Sequence, residues 1–89
     1  MVLERLPSNL NDFGYYAYVI RADVKRELGQ YTEAQQDYRR ALLIEPKSAI
    51  THFLLANLLK KLHKDEDAKT EIESLLSYHP NYIPALKVR

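Results

Sequence analysis

The feature that most constrains the fold of this chain is an internal repeat of 34 residues. A shift of that length places Ala22 on Ala56, Leu28 on Leu62, Ala34 on Ala68, Tyr38 on Ile72 and Pro46 on Pro80. A period of roughly 20 to 50 residues is typical of a solenoid, in which helix pairs bury their apolar faces only by stacking on neighbours. The repeat therefore predicts two similar helix pairs packed side by side.

Turn and cap residues divide the chain into predicted helices. The first is expected over about residues 13–28, with Asn11 or Asp12 as its N-cap and Gly29 just after its end. The second is expected from about Thr32 to Ile44, because the residue before Pro46 avoids the helical region.

The rest of the chain predicts two more long helices and a short one. The third is expected to begin at Ser48, a good N-cap, and to end near Leu62. The fourth is expected after Asp65 as its cap and before Pro80, and Pro84 suits the first turn of a fifth. Because apolar and polar residues do not alternate over any useful length, the predicted class is all-α.

Small residues at fixed places predict close contact between the helices of each pair. Ala22 and Ala34 leave room for two helices to cross at short range, and Tyr38 fills the space beside the crossing. Gly29 is expected to take a positive φ, which glycine adopts without strain.

With these residues, the chain resembles the tetratricopeptide repeat (TPR) family. The first repeat, residues 15–48, supplies the pattern Tyr18, Ala22, Leu28, Gly29, Ala34, Tyr38, Ala41 and Pro46. The second, residues 49–82, supplies Leu55, Ala56, Leu59, Leu62, Ala68, Ile72, Leu75 and Pro80. The resemblance implies a right-handed α-α superhelix, with residues 1–14 as an N-terminal cap. Residues 83–89 would start a capping helix or a truncated third repeat.

Four residues depart from the family pattern. Arg21 and Lys25 replace large apolar residues; we expect Arg21 either to reach Asp37 on the next helix or to point to solvent, and Lys25 to lie along the surface. His52 replaces an aromatic residue, and His63 replaces the turn glycine, which suggests a less tight second turn.

Two repeats are fewer than the three or so that solenoids need, so the ends are expected to compensate. A cap over the first pair would use Val2, Leu3, Leu6, Leu10 and Phe13, and the C-terminal side carries Ile83, Leu86 and Val88. Either the natural chain continues or another copy of the molecule covers the open C-terminal end.

The resemblance also implies a binding site, because the first helices of TPR units line a concave face that holds peptides. By position, the peptide-binding residues are Tyr16, Val19, Asp23, Arg26, Ile50, Phe53, Asn57 and Lys60. Their spacing places each set of four on one helical stripe. The alternative is that this stripe is buried against the N-terminal segment, another copy or further repeats. A carboxylate clamp for acidic C-terminal tails is not expected, because Val19 and Asp23 stand where that clamp has Lys and Asn.

Other chemistries find little support in the sequence. His52, His63 and His79 are 11 and 16 residues apart, which suits no metal site, and Asp65, Glu66 and Asp67 suit a helix start better than a cation. Catalytic and phosphate-binding motifs are absent, so neither an enzyme nor a cofactor is expected. The net charge of +1 disfavours nucleic acid as a partner.

We therefore expect a protein-interaction module whose partner is a peptide or protein segment. The alternatives are self-association, through the concave face or the open C-terminal end, and a regulatory segment of a larger protein. No apolar run is long enough for a membrane span, and the chain has no cysteine, so a cytoplasmic location is expected.

Overall fold

The computed structural model describes the backbone of residues 2–88 and the side chains of residues 14–87. Five helices follow one another: α1 (Val2–Glu27), α2 (Tyr31–Ile44), α3 (Ala49–Lys61), α4 (Asp65–Tyr78) and α5 (Ile83–Val88). Between residues 2 and 88 there is no strand, which confirms the all-α class. The helices pack as consecutive pairs, α1 with α2 and α3 with α4, and α2 also packs against α3. This is the arrangement of a helical solenoid.

The turns within the two pairs are copies of each other. Gly29 has φ 81°, as predicted, and its counterpart His63 has φ 61°. In the first turn the Gly29 amide donates to the Arg26 carbonyl and the Gln30 amide to the Lys25 carbonyl, at 3.0 and 2.8 Å. The second turn repeats both bonds at the equivalent positions, at 3.0 and 2.9 Å. The expectation of a less tight turn at His63 is therefore wrong, because these two bonds hold a histidine in a backbone region that favours glycine.

The predicted helix starts are confirmed at Ser48 and wrong at Asp65. The Ser48 hydroxyl accepts a hydrogen bond from the Thr51 amide at 3.3 Å, which caps α3. Asp65 is instead the first residue of α4, and Lys64 takes the cap position without a side-chain bond. The acidic residues still lie in the first turn, where the positive end of the helix dipole favours them.

The first helix begins much earlier than expected. α1 starts at Val2, so Asn11 and Asp12 lie within it and do not cap it. Asn and Asp cost a helix interior only up to about 0.7 kcal/mol each relative to Ala, so good cap residues do not force a start. The predicted cap of Val2, Leu3, Leu6, Leu10 and Phe13 rests on side chains outside the described residues.

The small residues at the predicted crossings are buried, as the sequence predicted. Ala22 on α1 and Ala34 on α2 are fully buried together with Tyr38. They belong to one core cluster that also contains Leu55, Leu58 and Leu59 of α3. A second cluster joins Ala56, Ile72, Leu75 and Ala85 from the last three helices. Neither Ala22 nor Ala56 faces water, which supports the helix-crossing account.

Candidate functional site

The predicted binding stripe consists of four pairs of residues that are 34 positions apart, one member on α1 and the other on α3. Tyr16 and its counterpart Ile50 begin the stripe, and their exposed fractions are 51% and 40%. Both are large apolar side chains that half face solvent. Each helix therefore presents an exposed apolar side chain at the beginning of the stripe.

The second pair is less accessible. Val19 is 2% exposed and belongs to the first core cluster, so it supports the stripe from beneath instead of facing a ligand. Its counterpart Phe53 is half-buried, and its ring lies 6.0 Å from that of Tyr82. Sequence spacing could not show that Val19 is buried and Phe53 only half-buried. Spacing tells which side of a helix a residue lies on, but not whether a neighbouring helix covers it.

On α1 the polar end of the stripe is tied to the core. The Tyr38 hydroxyl donates a short hydrogen bond to Asp23, and Arg26 Nη2 lies 3.7 Å from the same carboxylate. Burial, with the hydrogen bond and charge of Asp23, raises the pKa of Tyr38. Asp23 and Arg26 are thus held in place by the fold.

On α3 the corresponding residues Asn57 and Lys60 are exposed. The counterpart of Tyr38 is Ile72, which has no hydroxyl group to bind them. Beside them a groove of about 300 Å³ opens between α3 and α4. Its lining residues are Ala56, Asn57, Lys60, Asp65, Ala68, Lys69, Ile72 and Glu73.

Each repeat also buries one acidic side chain on its second helix. Asp37 on α2 is fully buried and accepts from Arg21 Nε and Nη2 at 2.8 and 2.9 Å. This bidentate pair confirms the predicted contact. Arg40 Nη1 and Lys25 Nζ lie 2.7 and 3.2 Å from the same carboxylate, so the prediction that Lys25 lies along the surface is wrong. Chiefly through the hydrogen bonds from Arg21, the three cations hold the pKa of Asp37 far below its usual range.

Glu71 on α4 is the counterpart of Asp37, and its partners differ. Its two oxygens lie 2.9 Å from His52 Nδ1 and 2.8 Å from Arg39 Nη1. The other ring nitrogen, His52 Nε2, lies 2.7 Å from the Pro46 carbonyl oxygen. Both neighbours of the imidazole are acceptors when Glu71 is ionised, so the geometry favours the doubly protonated, cationic ring.

The pKa directions agree with this geometry. Burial acts to lower the pKa of His52, but its bonds to Glu71 and to the Pro46 carbonyl raise it overall. Burial acts to raise the pKa of Glu71, but His52 and Arg39 lower it overall. Sequence patterns did not reveal the contact between His52 and Glu71, although a shift of 34 residues from Asp37 leads directly to Glu71.

The other two histidines have different surroundings. His79 follows the end of α4, and its Nε2 donates to the Lys47 carbonyl at 2.6 Å. His63 is exposed in the second turn. Within the described part of the chain, no group of three or more His, Asp or Glu residues could hold a metal ion. None of the described helices is long and apolar enough to cross a membrane.

Comparison with known proteins agrees with the repeat. Residues 22–62 match the family model described as TPR repeat, and no curated protein matches the chain. The matched segment runs from Ala22 on α1 through α2 and α3 to Leu62, across the turn at Gly29 and the connection at Pro46. TPR units are non-enzymatic repeat modules. With the 34-residue period and the paired helices, this match supports a tetratricopeptide repeat assignment.

Proposed function

We propose that this chain is a protein-protein interaction module that binds a peptide or protein segment along α1 and α3. TPR repeats generally mediate protein-protein interaction. The observation that carries the proposal is the pair Tyr16 and Ile50, two large apolar side chains at equivalent positions that are both about half exposed. Large apolar side chains at the centre of an interface contribute most of its binding energy.

The rest of the surface supplies polarity and shape. Asp23 and Arg26 are fixed by Tyr38 and by each other, so they offer a preorganised pair of opposite charges. Asn57 and Lys60 are exposed, and they add an amide and a single positive charge. Preorganised polar groups lose little side-chain entropy on binding, so they favour one ligand orientation. A negatively charged Asp23 also disfavours an acidic tail as the ligand beside α1.

The experiment is selection of peptides from a random display library on the immobilised chain. Selected peptides should bind the Tyr16→Ala and Ile50→Ala variants at least tenfold more weakly. Leu43→Ala is the matched control, because Leu43 on α2 is 83% exposed and lies outside the stripe. Peptides that bind all three variants as tightly as the parent chain would contradict the proposed face.

Self-association is the structural alternative, and the mass of the chain in solution distinguishes it. If the parent chain is a dimer and Ile50→Asp makes it a monomer, the face along α1 and α3 is the interface between two copies. Ile50→Asp is a cleaner test than Phe53→Asp, since Phe53 packs on Tyr82 and a charge there would also disturb the fold. A role as a regulatory segment of a larger protein is compatible with the same face. The cytoplasmic location stays a prediction from the sequence.

A further inference from the structure

The connection between α2 and α3, residues 45–48, is held by histidine rings of the second repeat. His52 Nε2 lies 2.7 Å from the Pro46 carbonyl oxygen, and His79 Nε2 lies 2.6 Å from that of the next residue, Lys47. His52 belongs to α3, whereas His79 follows the end of α4. Two neighbouring carbonyl groups are therefore bound by side chains of the type whose charge changes nearest to neutral pH.

The two rings differ in the number of bonds that they make. Among the described residues His79 makes one side-chain hydrogen bond, so a neutral ring with its proton on Nε2 retains it. His52 makes two, because its Nδ1 lies 2.9 Å from a carboxylate oxygen of Glu71. A neutral imidazole has a single N–H donor, so it cannot donate to both Glu71 and the Pro46 carbonyl. Loss of a proton from His52 therefore breaks one of its two bonds.

The surroundings of the ring decide which bond remains. Arg39 Nη1 lies 2.8 Å from the other carboxylate oxygen of Glu71, which favours the ionised carboxylate. A ring that donates from Nδ1 retains a charge-assisted bond to this carboxylate, about twice as strong as a neutral one. A ring that donates from Nε2 would instead direct the lone pair of Nδ1 at a negatively charged oxygen. The proton of the neutral ring therefore stays on Nδ1, and the bond to Pro46 is lost.

The other groups around the ring do not reverse this choice. The Tyr78 ring on α4 lies 6.1 Å from the His52 ring, and the Lys47 ammonium group lies 5.8 Å from the Tyr78 ring. The charge of Arg39 on α2 acts to lower the pKa of His52. However, Glu71 contacts the imidazole directly, whereas Arg39 contacts Glu71, so the carboxylate is the nearer charge.

The described part of the first repeat has no equivalent of this contact. The counterpart of His52 is Tyr18, which has no ring nitrogen and lies 5.4 Å from the guanidinium carbon of Arg21. The counterpart of Pro46 is Asp12, which lies within α1 and not in a connection. The two bonds of His52 are thus specific to the junction of the repeats.

We propose that His52 is a proton-dependent link at the junction of the two repeats. The charged ring holds Glu71 and the Pro46 carbonyl together, whereas the neutral ring holds Glu71 alone and releases the connection. The freed carbonyl is hydrated, because Pro46 is exposed. The connection keeps its other bonds, including that from the Lys47 amide to Glu45 Oε1 at 3.2 Å. The junction is therefore stiffer at mildly acidic than at mildly basic pH, whether or not a ligand lies along α1 and α3.

The ring nitrogens test the link directly. In a chain with 15N-labelled histidine, NMR from pH 5.5 to 9 reports which ring nitrogens carry a proton. His52 should carry both protons at the acidic end, and above its midpoint it should keep only the proton on Nδ1. Because folding raises its pKa, the midpoint should lie above the unfolded value of about 6.5. A neutral ring that keeps the proton on Nε2, or a ring that keeps both protons at pH 9, would overturn the proposal.

The Pro46 carbonyl tests the release. Its 13C signal should shift with the same midpoint as the His52 ring, because it loses its donor there. The Lys47 carbonyl is the matched control, since His79 retains its bond, and its signal should not follow that midpoint. NMR order parameters of the backbone amides of residues 47 and 48 should fall above the midpoint, whereas those of residues 62–64 in the second turn should not. A Pro46 signal or amide order that stays constant while His52 titrates would contradict the link.

Glu71→Gln separates the link from a general effect of ring charge. The glutamine amide can donate to Nδ1, so the neutral ring can keep its proton on Nε2 and its bond to Pro46. In this variant the Pro46 signal should shift at least threefold less across the His52 titration than in the parent chain. Glu73→Gln is the matched control, because Glu73 is exposed on the same helix, and it should behave like the parent chain. Equal shifts in Glu71→Gln and the parent chain would refute the proposed link, and the first two measurements need only the parent chain.

Discussion

The two repeats place an acidic side chain at the same position and neutralise it in different ways. Asp37 is surrounded by arginine and lysine side chains, residue types whose charge does not change near neutral pH. Glu71 is held by one arginine and by His52, whose charge depends on pH. The repeat therefore conserves the buried acid while the source of positive charge varies.

This difference follows from which helix positions carry the cations. In the first repeat Arg21 and Lys25 reach Asp37 from α1, and their counterparts on α3 are Leu55 and Leu59, which fill the core. The second repeat thus gains apolar contact but loses two cations. His52 and Arg39 neutralise Glu71 from other positions, and Arg39 comes from the preceding repeat, so this ion pair also joins α2 to α4.

The largest expected effect is at the buried acid of the first repeat. Asp37→Asn should lower the free energy of unfolding by about 3 kcal/mol, because three cations would lose their common partner. That figure is at the low end for a broken buried ion pair. The side chains of Arg21 and Arg40 are half exposed, so water can solvate their charges once the carboxylate is gone. Glu71→Gln, the matched change, should cost about 2 kcal/mol. Urea unfolding at pH 7 measures both, and a larger cost at Glu71 would reverse the comparison.

The helix contacts at Ala22 and Ala56 should differ in how well they accommodate a larger side chain. Ala22→Leu should cost about 2–3 kcal/mol, because its surroundings are fully packed and an added side chain must displace them. Ala56→Leu should cost about 1 kcal/mol, because Ala56 borders the open groove and the longer side chain can enter it. Thermal melts of the two variants provide the measurement. Equal losses would mean that the groove gives Ala56 no extra room.

Between about pH 6.5 and pH 9 the pH dependence of stability should come from the second repeat. The folded state raises the pKa of His52, so its contribution is complete below the unfolded value of about 6.5 and is lost as pH rises through the folded value. The pKa values of Asp37 and Glu71 are lowered, so their contributions are lost only under acidic conditions.

The measurement is urea unfolding at a series of pH values from 6 to 9, with the charge of His52 followed by NMR. The free energy of unfolding of the parent chain should fall as the pH rises over this range. In the His52→Gln variant it should no longer change with pH. The control is His63→Gln, because His63 is exposed in the second turn and should leave the slope unchanged. A slope that persists in His52→Gln would assign the titration to another group.

The smallest expected effect is at His63 in the second turn, and Gly29 in the first turn is its comparison. His63→Gly should stabilise the chain by up to about 1 kcal/mol, because glycine takes a positive φ without strain. Gly29→Ala should destabilise the chain by about 1–2 kcal/mol, because alanine takes a positive φ only with strain. A steric clash would not contribute, since an added Cβ would meet no atom within 4 Å. Thermal melts compare the two. A loss of stability in His63→Gly would show that the histidine side chain stabilises its turn.

Much of the fold could be predicted because it depends on local rules. Gly29, Pro46 and Ser48 act within a few residues of the helix ends that they set, and all three ends lie where the sequence indicated. The start of α1 could not be predicted in this way, because Asn11 and Asp12 are compatible with both a cap and a helix interior. The accessibility of the predicted stripe could be foreseen only in part: the spacing placed eight residues on one face, but it did not reveal that Val19 is buried.

The sequence by itself determined the repeat, the helical class, the turn positions and the small residues between the helices of each pair. Each of these features depends only on residue type and on spacing along the chain. Only the tertiary structure decided which charged groups meet and where the surface stays open. His52, Glu71, Arg39 and the Pro46 carbonyl come together from three helices and a connection. Such contacts depend on the angle and distance at which helices cross, and a one-dimensional pattern does not contain those quantities.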